Sequence, residues 1–246
     1  MVVTDGNLTF PLAAAANSLF MLSGAPVPLI VGIGYPTGNP MGPMLLRNRD
    51  LTPATPLSQI RTAPGQPPPT AENYGGAAGF LRFIVEELRP TIAAEWPVND
   101  ARQTLFGHSL GGLFTLDAMF DHPEAFHSYV ASSPSIWWAG RAVLKKGRRF
   151  AQRVVGGEIT PRVLITIGGT EQDAPTKPAA GLTLAKTNQM LGRARMVDNA
   201  RDLAARLTQL KGREGYEVAF QAFEAEDHMS VLSAAITRGL AFALKG

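Results

Sequence analysis

The sequence predicts an α/β fold: a mostly parallel β-sheet with helices packed on both faces. Three observations carry this. Short β-branched runs alternate with segments of helical periodicity along the whole chain. Most of these runs are continuously apolar rather than strictly alternating, as strands covered on both faces are. The chain has 246 residues, which suits one domain of the larger kind with a sizeable core.

The elements follow in order. Val2–Thr4 is the first strand, and it runs into a turn, Thr4-Asp5-Gly6-Asn7. A helix at Leu12–Leu22 and a second strand at Leu29–Gly34 come next. The proline-rich stretch Pro53–Pro69 reads as a long surface loop, because strand and helix patterns continue on both sides of it. A helix at Ala77–Leu88 leads to the strand Thr104–Phe106 and the helix Leu113–Phe120. The strand Tyr129–Ala131, a helical piece near Ala142–Val155 and the strand Val163–Ile167 continue the alternation. A second loop, Gly168–Thr187, is rich in Gly, Pro and Thr. The helix Met196–Lys211, the strand Glu217–Gln221 and the helix Met229–Leu244 end the chain.

Composition narrows the function classes. Apolar residues make up 45% and charged residues 17%, ordinary for a globular domain. There is no cysteine, which excludes disulfides and thiolate metal sites. The net charge of +3 is mild. Small basic clusters at Lys145, Lys146, Arg148 and Arg149 and at Arg193 and Arg195 have no interleaved aromatics. They read as a solvated face, not a nucleic-acid site. No apolar run is long enough to span a membrane. The start, MVVTDGNLTF, lacks a basic segment followed by an apolar one, so as it stands it is no signal peptide and the expected location is cytoplasmic. No fixed-period repeat is present.

Gly107-His108-Ser109-Leu110-Gly111 is G-x-S-x-G, set between a strand and a helix and followed by Gly112. At such a turn the serine takes a strained conformation, and small neighbours let strand and helix approach. The turn exposes Oγ at the carboxyl end of the sheet and aims the Leu110 N–H at the same point. A serine hydroxyl is a poor nucleophile near pH 7, so it needs a base, and the base needs an orienting acid. In this architecture the order is Ser, acid, His, each on a loop after a strand. Of the four histidines, His108 adjoins Ser109 and points away, so a packing role is expected. His122 ends a helix and His127 immediately precedes a strand. His228 follows the last strand and precedes the last helix, where the base belongs. Glu171 and Asp173 both lie after the preceding strand and compete for the acid. For the oxyanion, the turn after the first strand offers the N–H of Asn7 beside that of Leu110. No metal or organic cofactor is needed.

The chain resembles the putative-esterase (esterase D-like) branch of the α/β-hydrolases, and within it the siderophore esterases that cleave enterobactin- and salmochelin-type trilactones. The matching stretches are Asp5-Gly6-Asn7, Val31–Pro36, Arg49-Asp50-Leu51-Thr52-Pro53, Gly107–Gly112, Ser132-Ser133-Pro134-Ser135-Ile136-Trp137-Trp138 and Asp227-His228. The elbow is common to many hydrolases; R-D-x-T-P and S-P-S-x-W-W are far more specific. The resemblance implies an α/β-hydrolase fold and a serine carboxylic-ester hydrolase acting through an acyl-enzyme. It favours Glu171 over Asp173, although some siderophore esterases work with a serine–histidine dyad. It also implies a small-molecule ester substrate, an iron-loaded siderophore for these relatives. Such a bulky anion with aromatic catecholates calls for guanidinium groups and aromatic faces. Arg47, Arg49, Trp137 and Trp138 are the candidates.

Relative to the family, the chain starts inside the strand that leads into the D-G turn. The expectation is therefore one α/β-hydrolase domain over residues 1–246, shortened at its N-terminus, with six strands where about eight are usual. The strand at Leu29–Gly34 would then be an uncovered edge, through which the chain could self-associate. A signal peptide lost with the missing segment would change the location to periplasmic. Three alternatives stay open: another esterase or thioesterase of this fold, an acyltransferase, and a non-catalytic degenerate hydrolase.

Overall fold

A computed structural model describes residues 1–36, 44–62, 68–179 and 181–245. Its centre is a parallel sheet of six strands in the order β2-β1-β3-β4-β5-β6. The strands are β1 (Val2–Val3), β2 (Val31–Gly32), β3 (Thr104–His108), β4 (Ser128–Ser132), β5 (Arg162–Gly168) and β6 (Glu217–Phe223). All six expected strands are present, and β2 lies at one edge.

Alternate strand residues feed two separate cores. Val3, Phe106, Val130 and Leu164 pack beneath α1 (Gly6–Leu22) and α10 (Val231–Leu244). Val2, Leu105, Tyr129, Val163 and Ile165 point the other way. There they meet α3 (Ala77–Arg82), α5 (Leu110–Asp121), α7 (Gly147–Val155) and α9 (Met196–Thr208). The parallel register sets Leu105 beside Tyr129 and Tyr129 beside Val163, so residues of one face fall in line. Burying each large side chain contributes about 1.5–3 kcal/mol, which accounts for the continuously apolar runs.

The helices depart from expectation in five places. α1 begins at Gly6, not Leu12, and runs through Pro11. α2 (Met44–Leu51) was not expected; its buried residues include Arg47, Asn48 and Asp50, so it shows no apolar stripe. The Ala77 helix continues through a wide π-type turn into α4 (Arg89–Glu95). The loop expected over Gly168–Thr187 ends sooner, because α8 (Leu184–Ala194) starts where Thr183 caps the Lys186 N–H. The helical piece near Ala142–Val155 consists of a short α6 (Trp138–Arg141), a 3₁₀ turn and α7. Part of the proline-rich loop, 63–67, lies outside the described residues.

Strand β1 is flanked by β2 on one side and β3 on the other. The chain therefore moves outward from β1 to β2 and then crosses back to β3. A crevice opens outside the carboxyl ends of the strands at such a reversal, and it is where ligands bind in open α/β sheets.

Candidate active site

Ser109 sits directly after β3 with φ 59° and ψ −115°, a left-side backbone conformation that a serine adopts only under constraint. The neighbouring glycines supply that constraint. A Cβ on Gly107 would collide with the Gly111 carbonyl, and one on Gly111 with Thr4 Oγ1. A Cβ on Gly112 would stand 2.7 Å from Ser132 O. The G-x-S-x-G-G pattern is thus dictated by how closely α5, β1 and β4 approach the elbow. The Ser109 N–H donates to Ser132 O at 2.9 Å, and Ser109 O accepts from the Ser135 N–H at 3.1 Å.

Ser109 Oγ lies 3.0 Å from His228 Nε2 and 3.4 Å from Ser135 Oγ. His228 Nδ1 lies 2.6 Å from Glu171 Oε2. That contact assigns the tautomer: Nδ1–H donates to the carboxylate and Nε2 faces the hydroxyl as acceptor. Glu171 is buried. Its second oxygen accepts from the Gly168 N–H at 2.8 Å and from Ser133 Oγ at 2.5 Å. Asp173 is exposed, and its N–H donates to Thr170 O. The structure therefore brings Glu171, not Asp173, to the histidine.

The loops carrying Glu171 and His228 are held together by backbone. A Cβ on Gly168 would lie 2.7 Å from Asp227 O, and one on Gly169 2.6 Å from Glu224 Cα. Only glycines let β5 run out against the His228 loop. Thr170 Oγ1 donates to Glu226 O at 2.9 Å. Asp227 accepts the N–H groups of Met229 and Ser230, both at 2.8 Å, and those donors hold its carboxyl below the ordinary range. This turn, just ahead of α10, fixes where the chain presents His228.

His108 is buried beside His228. Its Nδ1 is 3.0 Å from Ser132 Oγ and its ring centroid 4.8 Å from that of His228. Burial pushes its pKa down to about 3, so it stays neutral. Its Nε2 is buried with no hydrogen-bond partner among the described residues. His122 is exposed, and His127 Nδ1 contacts Ser128 Oγ.

Leu110 opens α5 and Asn7 lies in the first turn of α1. Both positions lie at the positive ends of their helix dipoles. The Asn7 side chain clasps the Tyr35 backbone, with Nδ2 donating to O at 3.0 Å and Oδ1 accepting from N at 2.7 Å. The four substrate-binding candidates separate into two kinds. Arg47 is 7% exposed and donates to Asp5 through Nε at 2.7 Å and Nη2 at 3.1 Å. The expectation of a substrate-facing charge is corrected there, because the buried Asp5 carboxylate neutralises it. Trp138 is 5% exposed and stacks on Tyr74 at 5.4 Å. It is core, not a ligand platform. Arg49 is 44% exposed along its side chain, with only Nε donating to Asp50. Trp137 is 37% exposed and two residues beyond Ser135.

The residues that sequence reasoning missed are Ser132, Ser133 and Ser135, which brace Ser109 and Glu171 from the end of β4. Their signal was a cluster of small hydroxyl residues ending the strand next to the elbow strand. Among the described residues, no group of three or more His, Asp or Glu side chains could hold a metal. No helix among them is long and apolar enough to cross a membrane.

Comparison with known proteins shows the family. The family model described as Putative esterase matches residues 62–216. The ferri-bacillibactin esterase BesA of Bacillus subtilis is 38% identical over 217 residues, 88% of this chain and 67% of that protein. The siderophore triacetylfusarinine C esterase of Aspergillus fumigatus is 35% identical over 97% of this chain and 78% of its own length. The solved structure of siderophore hydrolase EstA from Aspergillus nidulans superposes with a TM-score of 0.84 at 31% identity, covering 99% of this chain and 81% of that one. The chain belongs to the Putative esterase family and is an ester-hydrolysing enzyme of the α/β-hydrolase fold.

Proposed function

We propose that this enzyme cleaves the backbone esters of siderophores, using Ser109 as nucleophile, His228 as base and Glu171 as the acid that orients it. The observation that carries the chemistry is the continuous path from Ser109 Oγ through both ring nitrogens of His228 to a buried carboxylate. Ser109 attacks the ester carbonyl while His228 Nε2 takes its proton. Glu171 holds the Nδ1–H and stabilises the imidazolium that forms. The oxyanion is received by the N–H groups of Leu110 and Asn7, at the starts of two helices, where the helix dipole favours negative charge. The imidazolium then protonates the leaving alcohol. His228 next removes a proton from water, and the hydroxide releases the acid from Ser109.

The substrate class comes from the names of the relatives, whose ester substrates are siderophores. Two exposed groups suit a bulky anionic aromatic ligand: the Arg49 guanidinium and the Trp137 ring. Iron is cargo in this reading and takes no part in the chemistry. The test pairs a fluorophosphonate probe with hydrolysis of an iron-loaded siderophore ester and of a p-nitrophenyl ester. Ser109→Ala is expected to abolish labelling and lower both rates about 10⁴-fold or more. Labelling that persists sinks the nucleophile assignment. A wild-type enzyme that cleaves only the small ester sinks the substrate.

A further inference from the structure

We propose that Ser133 is a positioning residue for catalysis: its hydroxyl fixes the rotation and the charge distribution of the Glu171 carboxylate, and through it the orientation of His228. This rests on the reading of Glu171 as the orienting acid. Ser133 is fully buried and has φ 42°, a left-handed conformation that a serine rarely adopts. Its N–H donates to Thr166 O at 2.8 Å, which pins the residue to β5. Its Oγ donates to Glu171 Oε1 at 2.5 Å. Residues on either side have different tasks, since Ser132 contacts His108 and Ser135 contacts Ser109. Ser133 therefore links the end of β4 to the acid, across 38 residues of sequence.

The carboxylate is held at three points: Gly168 N–H and Ser133 Oγ on one oxygen, His228 Nδ1 on the other. The two donors on Oε1 leave Oε2 aimed at the histidine. With Ser133 Oγ removed, one backbone donor remains and the carboxylate can turn about its terminal bond. A misplacement of a fraction of an ångström in the base is expected to lower kcat about 10-fold. A second consequence has a definite sign. A donor on Oε1 withdraws negative charge from the face that meets Nδ1. Removing it makes Glu171 a stronger acceptor and favours imidazolium, so the acid limb of kcat/KM against pH moves upward.

Ser133→Gly separates this role from a structural one, because glycine accepts φ 42° without strain and lacks only the hydroxyl. Ser133→Ala keeps the strain and also lacks the hydroxyl. The expected result is the same loss of kcat in both variants, KM nearly unchanged, the acid limb raised, and a melting temperature for the glycine variant within a few degrees of wild type. In a Glu171→Gln background, Ser133→Gly is expected to change kcat less than about twofold, since the two residues act as one unit. Wild-type kcat and acid limb in Ser133→Gly overturn the proposal, as does a full, additive loss in the double variant. A Glu171→Gln variant with near wild-type kcat overturns the reading of Glu171, and this proposal with it. Glu171→Gln falling steeply while Ser133→Gly is silent overturns the proposal alone.

Discussion

The two halves of the sheet are built differently. β3 and β4 have five residues each and β5 has seven, all buried, in an unbroken parallel register. β1 and β2 have two residues each, and β2 is partly exposed. Ser109 and Glu171 leave the ends of β3 and β5, and His228 follows the end of β6. The loops after β1 and β2 are secured by side chains instead: Arg47 on Asp5, Asn7 on Tyr35, Arg49 on Asp50. Ser109, His228 and Glu171 thus rest on backbone ladders, whose register cannot drift by less than a residue. The segments after β1 and β2 rest on pairs of side chains, which substitution can retune without moving the elbow.

The sharpest test of the first half is the acid. Glu171→Gln keeps the shape and the Oε1 contacts but removes the charge that holds the Nδ1–H tautomer. The expected loss in kcat is about 10³-fold, roughly 4 kcal/mol of barrier. Asp173→Asn, on an exposed side chain two residues away, is expected to stay within about twofold. Comparable mild losses in both would return the site to a serine–histidine dyad, and the ladder-built half would hold one catalytic group fewer.

In the second half, breaking the Asp5–Arg47 pair should unfold the loops before it touches the chemistry. Burial already raises the Asp5 carboxyl, and Arg47 opposes that rise. Arg47→Met leaves a buried carboxylate alone, at a cost of about 3 kcal/mol. For a chain of this size that is a fall in melting temperature of roughly 10 °C. Asp5→Asn added to Arg47→Met should recover part of it, because an uncharged amide is easier to bury. A variant as stable as wild type would mean that the β1–β2 half does not depend on this pair.

His108 lies between the two halves, and its effect shows in pH. Folded, it takes no proton until about pH 3; unfolded, it takes one near 6.5. Between these values unfolding binds a proton, so stability is present above pH 6.5 and falls as the pH drops toward 3. The slope from this group is at most about 1.4 kcal/mol per pH unit. Between pH 6.5 and 5 the wild type should therefore lose up to about 2 kcal/mol more than His108→Asn. Thermal melts at the two pH values measure it. Parallel falls would show that His108 can take up its proton without unfolding.

The ladder-built half was also the more legible one. Continuous apolar runs in β3, β4 and β5 announced strands covered on both faces, and the glycines around Ser109 announced the elbow. Loop position and resemblance favoured Glu171 over Asp173, but its contact with His228 needed the fold, because side-chain reach across the ends of β5 and β6 is not a local property. The Ser133 contact was hidden for the same reason. In the other half, α2 escaped notice because it buries Arg47, Asn48 and Asp50. A helix that packs through polar pairs carries no apolar period. α8 buries only Thr187, so its composition read as loop. Pro11 and the Asp5-Gly6 turn masked the start of α1. Periodicity reports burial against a core, and these elements bury little or bury polar groups.

The smallest effect tests whether the side-chain-built half selects the substrate at all. Arg49 is exposed, and Asp50 holds it only through Nε, so its Nη groups can meet an anion. Arg49→Gln is the informative change, since a glutamine can still donate to the buried Asp50 while the charge is gone. An exposed charge–charge contact contributes about 1 kcal/mol, roughly a fivefold change in KM for an anionic, iron-loaded catecholate ester. A neutral p-nitrophenyl ester should be almost untouched. The difference should shrink at about 1 M salt, where the screening length falls to about 3 Å. Steady-state kinetics on both substrates at low and high salt reads all of this. An equal rise on both substrates, insensitive to salt, would make Arg49 a support of the loop like Arg47, and would leave Trp137 as the one exposed group of the original four candidates to select substrate.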